Sequence, residues 1–148
     1  MGWIEDLTGG LIGIDTAPLI YYVEANPAYL ARIDPFFAAL DRGELRAVTS
    51  IVTLIETTVQ PLRRGAAALI SRYEDLLLDT AHIDTIDLTA SIAREAARLR
   101  AVHNLRTPDA IQVATVLQAG AIAFLTNDAR LTVVPDIRVI VLDALPPV

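Results

Sequence analysis

The sequence predicts an α/β fold built on a mostly parallel sheet with helices on both faces. Three observations predict it. Short apolar runs alternate with longer helical patterns along the chain, and strand-then-helix alternation implies right-handed crossovers between parallel strands. Two of the runs, LIGID and AIAFL, are apolar without period-two alternation, as strands buried on both faces should be. Helix punctuation agrees: Thr107-Pro108 reads as N-cap then N1, and Gly120 closes the helix that follows.

In chain order, residues 1–10 (MGWIEDLTGG) fit no element and are expected to be a loose N-terminal arm or a start-site artefact, leaving 11–148 as a single domain. The first strand is LIGID at 11–15. Helical patterns at 18–25 and 28–42 lead to RAVT at 46–49. Helices at 50–60 and 64–78 lead to HIDTI at 82–86. Helices at 89–103 and 108–119 lead to AIAFL at 121–125. A short turn near 128–132 then precedes IRVIVL at 137–142. Internal repeats, low-complexity tracts and linkers are absent from this pattern.

A chain of 148 residues is long enough for one domain with a sizeable core. Hydrophobic content is 53% and mean hydropathy is +0.46, yet no stretch reaches the roughly 18 apolar residues of a membrane helix. The surplus belongs on a doubly covered sheet and at a subunit interface. The acidic N-terminus lacks the basic start of a secretory signal. The absence of cysteine excludes disulfides, thiolate metal sites and a cysteine nucleophile, and fits a cytoplasmic location. A net charge of −6 runs against passive nucleic-acid binding. All twelve basic residues are arginine, which removes P-loop and Schiff-base chemistry. Two histidines, His82 and His103, argue against a histidine-rich zinc site.

What chemistry the chain has must come from carboxylates. In an open parallel sheet, ligands bind beyond the carboxyl ends of the strands where strand order reverses. LIGID ends on Asp15, and AIAFL runs into TND, which delivers Asp128. If the first and fourth strands are neighbours, these side chains face each other. Asp15 could instead cap the next helix, although Pro18 as N1 would make Ala17 the cap. Asp128 has ordinary turn chemistry around it. Asp109 lies in the first turn of helix 108–119, where the helix dipole favours a negative charge, but adjoins that helix's apolar stripe of Ala110, Val113, Ala114 and Leu117. Glu56 falls at the margin of an expected buried arc formed by Ile51, Val52, Ile55 and Val59, a costly place for an unpaired charge. Each acid has an adequate structural explanation alone. Together in one crevice they would repel unless a cation sat among them. Oxygen-only ligands select hard ions such as Mg²⁺ or Mn²⁺.

On these residues the chain resembles a PIN-domain ribonuclease, in particular the VapC-type toxins of bacterial toxin–antitoxin pairs, over roughly 11–143. The family's first aspartate corresponds to Asp15 in IDTAPLIYYVE and its helical glutamate to Glu56 in TSIVTLIET. Its third acid corresponds to Asp109 in LRTPDAIQVAT and its fourth to Asp128 in FLTND. Thr126 matches the small hydroxyl residue before the last acid. Two departures stand out: ten residues precede the first strand, where such toxins usually start within a few, and Gln112 replaces a frequent histidine. The resemblance implies a three-layer α/β/α sandwich, metal-dependent endoribonuclease activity, a homodimer, and a small VapB-like antitoxin whose C-terminal segment blocks the acidic groove. The expected chemistry is in-line attack of water on an RNA phosphodiester to leave a 5′-phosphate. Asp15, Asp109 and Asp128 would hold one or two Mg²⁺ or Mn²⁺ ions, with Glu56 binding directly or through water. Arg94, Arg98, Arg100, His103 and Arg106 make 94–106 locally positive, with Arg100 and Arg106 as candidate phosphate contacts. Rival readings are a stand-alone RNA- or DNA-processing nuclease of the same fold and a non-catalytic dimerisation or RNA-binding module. A haloacid-type phosphatase is disfavoured, because Ala17 stands where its second aspartate belongs and its lysine is missing.

Overall fold

The computed structural model describes residues 2–146. Its five strands are Leu11–Ile14 (β1), Arg46–Ser50 (β2), Ile83–Ile86 (β3), Ala123–Thr126 (β4) and Arg138–Val141 (β5). All pair in parallel, in the order β3-β2-β1-β4-β5. Six helices connect them: Thr16–Val23 (α1), Leu30–Asp41 (α2), Val52–Arg64 (α3), Ala67–Leu78 (α4), Ala90–His103 (α5) and Thr107–Gln118 (α6). A short 3-10 turn, Ala129–Val133, joins β4 to β5. Every strand and helix expected from the sequence is present, and β1 and β4 are neighbours at the point where strand order reverses.

Alternate residues of each central strand serve two cores. Ile12 and Ile14 of β1, Ala47 of β2, and Ala123 and Leu125 of β4 join the core under α1, α2 and α4. Val48 of β2 and Phe124 of β4 join the core under α5 and α6. Both faces are therefore dry, which is why the strands read as continuous apolar runs. The result is the expected three-layer α/β/α sandwich. The two cores follow from handedness. The chain moves one way across the sheet from β1 to β3 and the other way through β4 and β5, so right-handed connections fall on opposite faces.

Gly13 lets α6 approach β1 closely: a Cβ there would collide with Val116 and with the ring of Phe124. α3 ends at Gly65, whose φ of 66° is the left-handed conformation that terminates helices cheaply. Gly120, with φ of 78°, follows α6 in the same way.

Three expectations need correction. Residues 2–10 are not a loose arm. Leu7 is fully buried in the first core, Trp3 stacks on Phe36, and Gly9 N–H donates to Glu44 O at 2.6 Å. The apolar side chains of this segment found a partner surface on α2 that no short-range pattern announces. Second, α6 starts one residue earlier than expected, with Arg106 at the N-cap position and Pro108 inside the first turn. Third, α3 is turned around. Its buried residues are Thr53, Thr57, Thr58 and Pro61, whereas Ile55 and Leu62 are 65% and 63% exposed. The threonines can face inward because their hydroxyls are satisfied. Thr57 donates to Thr53 O at 2.8 Å and Thr58 to Leu54 O at 2.6 Å.

Candidate metal and nucleic-acid site

Asp15 follows β1 directly and is the N-cap of α1. Its Oδ1 accepts from Thr16 N at 2.9 Å. Pro18 sits in the first turn without displacing it, so the capping role that Pro18 seemed to weaken is real. Its other oxygen, Oδ2, accepts from Thr126 Oγ1 at 2.7 Å. Both partners are neutral, and among the described residues no cation pairs with Asp15. Burial therefore pushes its carboxyl up from 3.8 to about 6. The two hydrogen bonds oppose the rise, and Asp109 and Glu56 add to it.

Thr126 also ties in the fourth acid, since its Oγ1 accepts from Asp128 N at 3.1 Å. Asp128 caps the 3-10 turn through Arg130 N at 3.0 Å. Its carboxylate is gripped by the Arg130 fork, with Nε to Oδ1 at 2.9 Å and Nη2 to Oδ2 at 2.6 Å. Arg130 accordingly holds Asp128 below the usual carboxylate range. Asp109 in the first turn of α6 accepts from Arg106 Nε at 3.0 Å. Glu56 lies on the exposed side of α3, yet its Oε1 accepts from Thr16 Oγ1 at 2.9 Å, which turns it toward Asp15.

These four acids line one pocket with Thr16, Thr126, Asn127 and Arg106. Beneath it lies a buried polar network. Thr49 donates to Ile14 O at 2.8 Å and bonds Thr53 at 2.8 Å; Gln112 Nε2 donates to Thr53 Oγ1. The Gln112 Oε1 accepts from Ser50 N at 3.1 Å. This network clamps β1, β2, α3 and α6 together below the acids. Among the described residues every buried side-chain polar atom has a partner.

Asp15, Glu56, Asp109, Asp128, Thr126 and Arg106 are thus brought together. Arg100 is not. Its Nε donates to Leu105 O at 2.9 Å, supporting the α5–α6 turn, and its side chain lines a separate apolar groove with Leu88, Ala96 and Ile111. Sequence reasoning missed Thr16 and Arg130. Each sits within two residues of a predicted acid, in the cap or turn that the acid forms, and that adjacency was the available signal.

The donor set suits a hard divalent ion. It is all oxygen, carries up to four negative charges, and includes a half-buried carboxylate without a counterion. In the arrangement shown, no three acidic or histidine groups among the described residues come close enough to hold one ion together. Asp128 pairs instead with Arg130 and Asp109 with Arg106.

The PIN-domain family profile matches residues 12–137. Among solved structures, VapBC2 from Rickettsia felis, bound to a promoter DNA fragment, superposes with TM-score 0.68 at 12% identity. That match covers 88% of this chain and 97% of its own. VapC20 of Mycobacterium tuberculosis, a toxin that cleaves the sarcin-ricin loop, gives 0.63 at 18% identity, with 76% and 86% covered. FitAcB from Neisseria gonorrhoeae gives 0.61 at 19%, with 90% and 99% covered. No curated protein matches the chain by sequence. At these identities the structural matches establish the fold, whereas the profile spans most of the chain and both acid-bearing strand ends. The chain belongs to the PIN-domain family.

Proposed function

We propose that this chain is the toxin of a toxin–antitoxin pair and acts as a divalent-metal-dependent endoribonuclease. The observation that carries the reading is the convergence of Asp15, Glu56, Asp109 and Asp128 on one pocket at the sheet's reversal point. PIN-domain nucleases generally use divalent metal ions. Here Asp15, Asp109 and Asp128 would hold Mg²⁺ or Mn²⁺, with Glu56 as a further or water-mediated ligand. The ion, when bound, supplies Lewis-acid stabilisation and an activated water for attack on phosphorus. The chain's own residues do the rest. Thr126 fixes Asp15 and the Asp128 backbone in one geometry, and Thr16 orients Glu56. Arg106, which lines the pocket, would meet a phosphate oxygen; Arg100 lies outside the pocket and is left out of the proposal.

The solved neighbours include toxin–antitoxin complexes, which supports a VapB-like antitoxin as the partner of this chain. Ile55, Val59 and Leu62 form an exposed apolar stripe at i, i+4 and i+7 on α3, which supports a homodimer. Among the described residues no helix is long and apolar enough to cross a membrane.

The test is cleavage of total RNA by purified protein in Mg²⁺ or Mn²⁺, with and without EDTA, against Asp15→Asn. Cleavage is expected only in the wild type with metal. Activity that survives both EDTA and the substitution would sink the metal reading. If purified wild type leaves RNA intact while still binding it, the non-catalytic module takes over.

A further inference from the structure

Two of the four acids in the pocket are held by arginines that cost little to move. Arg130 is 67% exposed and Arg106 68%, while their partners Asp128 and Asp109 are only 24% and 15% exposed. Asp128 is also held by the backbone, as the cap of the 3-10 turn, and Asp109 stands in the first turn of α6. The arginines are long, solvated and free to swing. Both also line a second cavity of about 270 Å³, adjoining the acidic pocket and sharing Arg106 and Asp109 with it. Its other walls are His103, Asn104, Leu105, Leu131 and Val133. A cavity lined by two arginines and a histidine therefore abuts the acidic one, with Arg106 and Asp109 on the wall they share.

We propose that Arg130 and Arg106 are exchangeable counterions. They neutralise Asp128 and Asp109 until a divalent ion takes those carboxylates, and then, with His103, bind the RNA phosphate next to the scissile one in the adjoining cavity. The inference rests on the nuclease reading above and adds a phosphate subsite and a competition to it. The physical argument is charge balance. Four acids in one pocket repel unless cations lie among them. The guanidinium fork and a divalent ion compete for the same oxygens of Asp128, so they cannot both be fully engaged. A guanidinium so released suits a phosphate, because its planar donors match two oxygens at once. The arrangement also reconciles a chain of net charge −6 with a polyanionic substrate, since positive charge reaches the groove as the ion binds.

The experiment has two arms on the full chain. In calorimetry with Mn²⁺ alone, Arg130→Ala is expected to bind the ion about two- to fivefold more tightly than wild type, the range an exposed pair supports. In the second arm, a labelled single-stranded RNA is titrated in Ca²⁺ and in EDTA. The same variant should bind RNA more weakly in Ca²⁺, with the log–log salt slope reduced by about 0.7 for one lost phosphate contact. The loss in EDTA should be clearly smaller, because the wild-type guanidinium is then engaged on Asp128. Arg106→Ala should follow the same pattern. Wild type that binds Mn²⁺ and a variant that binds it no tighter would overturn the exchange alone. Equal RNA losses in Ca²⁺ and EDTA would do the same. Wild type that takes up no Mn²⁺ would overturn the exchange together with the nuclease reading.

Discussion

Asp15 combines two roles that the sequence set against each other. One oxygen caps α1 and the other takes the Thr126 hydroxyl, so the same geometry that ends β1 also aims a carboxylate into the pocket. Its cost without a cation can be measured. The unfolded group titrates near 3.8 and the folded one at about 6. Between those values the folded state binds more protons, so the contribution of Asp15 to stability is fully present below about pH 4. It is lost as pH rises to about 6, roughly 3 kcal/mol in all as an upper figure. Asp128 works in the opposite sense, because its lowered value stabilises the fold at neutral pH and loses that effect in acid. The useful quantity is therefore a difference between two proteins. In EDTA, the stability of Asp15→Asn relative to wild type is expected to rise by up to about 3 kcal/mol between pH 4 and pH 7, on top of a pH-independent offset for one mismatched hydrogen bond. Denaturant melts across that range check it; parallel curves would mean that Asp15 is not desolvated in solution.

At the scale of elements, β1 and α6 carry the site between them, and Gly13 sets their distance. Any side chain there must push Val116 and Phe124 out of the second core. Gly13→Ala should destabilise by about 1–3 kcal/mol through overpacking, which for this length lowers Tm by about 2–4 °C per kcal/mol. Thermal melts test it, and an unchanged Tm would mean that α6 yields easily. The element order was legible because its signals are local: apolar runs for the strands, Gly120 for the end of α6, and Pro108 for its start. The orientation of α3 was not. Hydrophobic periodicity put Ile55 and Val59 inside, and the helix buries Thr53, Thr57 and Thr58 instead. Threonine reads as polar in a pattern, yet a hydroxyl bonded to the carbonyl four residues back is nearly neutral in a core. The partner that completes this face, Gln112, comes from a helix more than fifty residues later. Non-local satisfaction of that kind leaves no trace in periodicity. For the same reason the acids were legible one by one from strand ends and helix turns, while Thr16 and Arg130, whose roles depend on rotamers toward those acids, were not.

For the whole molecule, the turned α3 raises the question of what its apolar stripe is for. Ile55, Val59 and Leu62 contribute nothing to either core, and holding them in water is unfavourable by the area they expose. They lie on the same helix as Glu56, one end of which reaches the acidic pocket. A second copy seated on this stripe would cover the surplus that composition flagged. It would also set two acidic pockets on one particle, where RNA could meet both. A stable interface needs on the order of 1,600 Å² in total, more than three side chains supply, so neighbouring residues of α3 and α4 must join it. The discriminating variant carries Ile55→Ser and Leu62→Ser together. Because both side chains are exposed in the single chain, each substitution should change the stability of the monomer itself by no more than about 0.5 kcal/mol. Sedimentation should nevertheless move from dimer to monomer. A double variant that melts like wild type and still sediments as a dimer would place the interface elsewhere and leave the stripe to another partner. A wild type that is monomeric throughout would remove the homodimer from the proposal while leaving the acidic pocket intact.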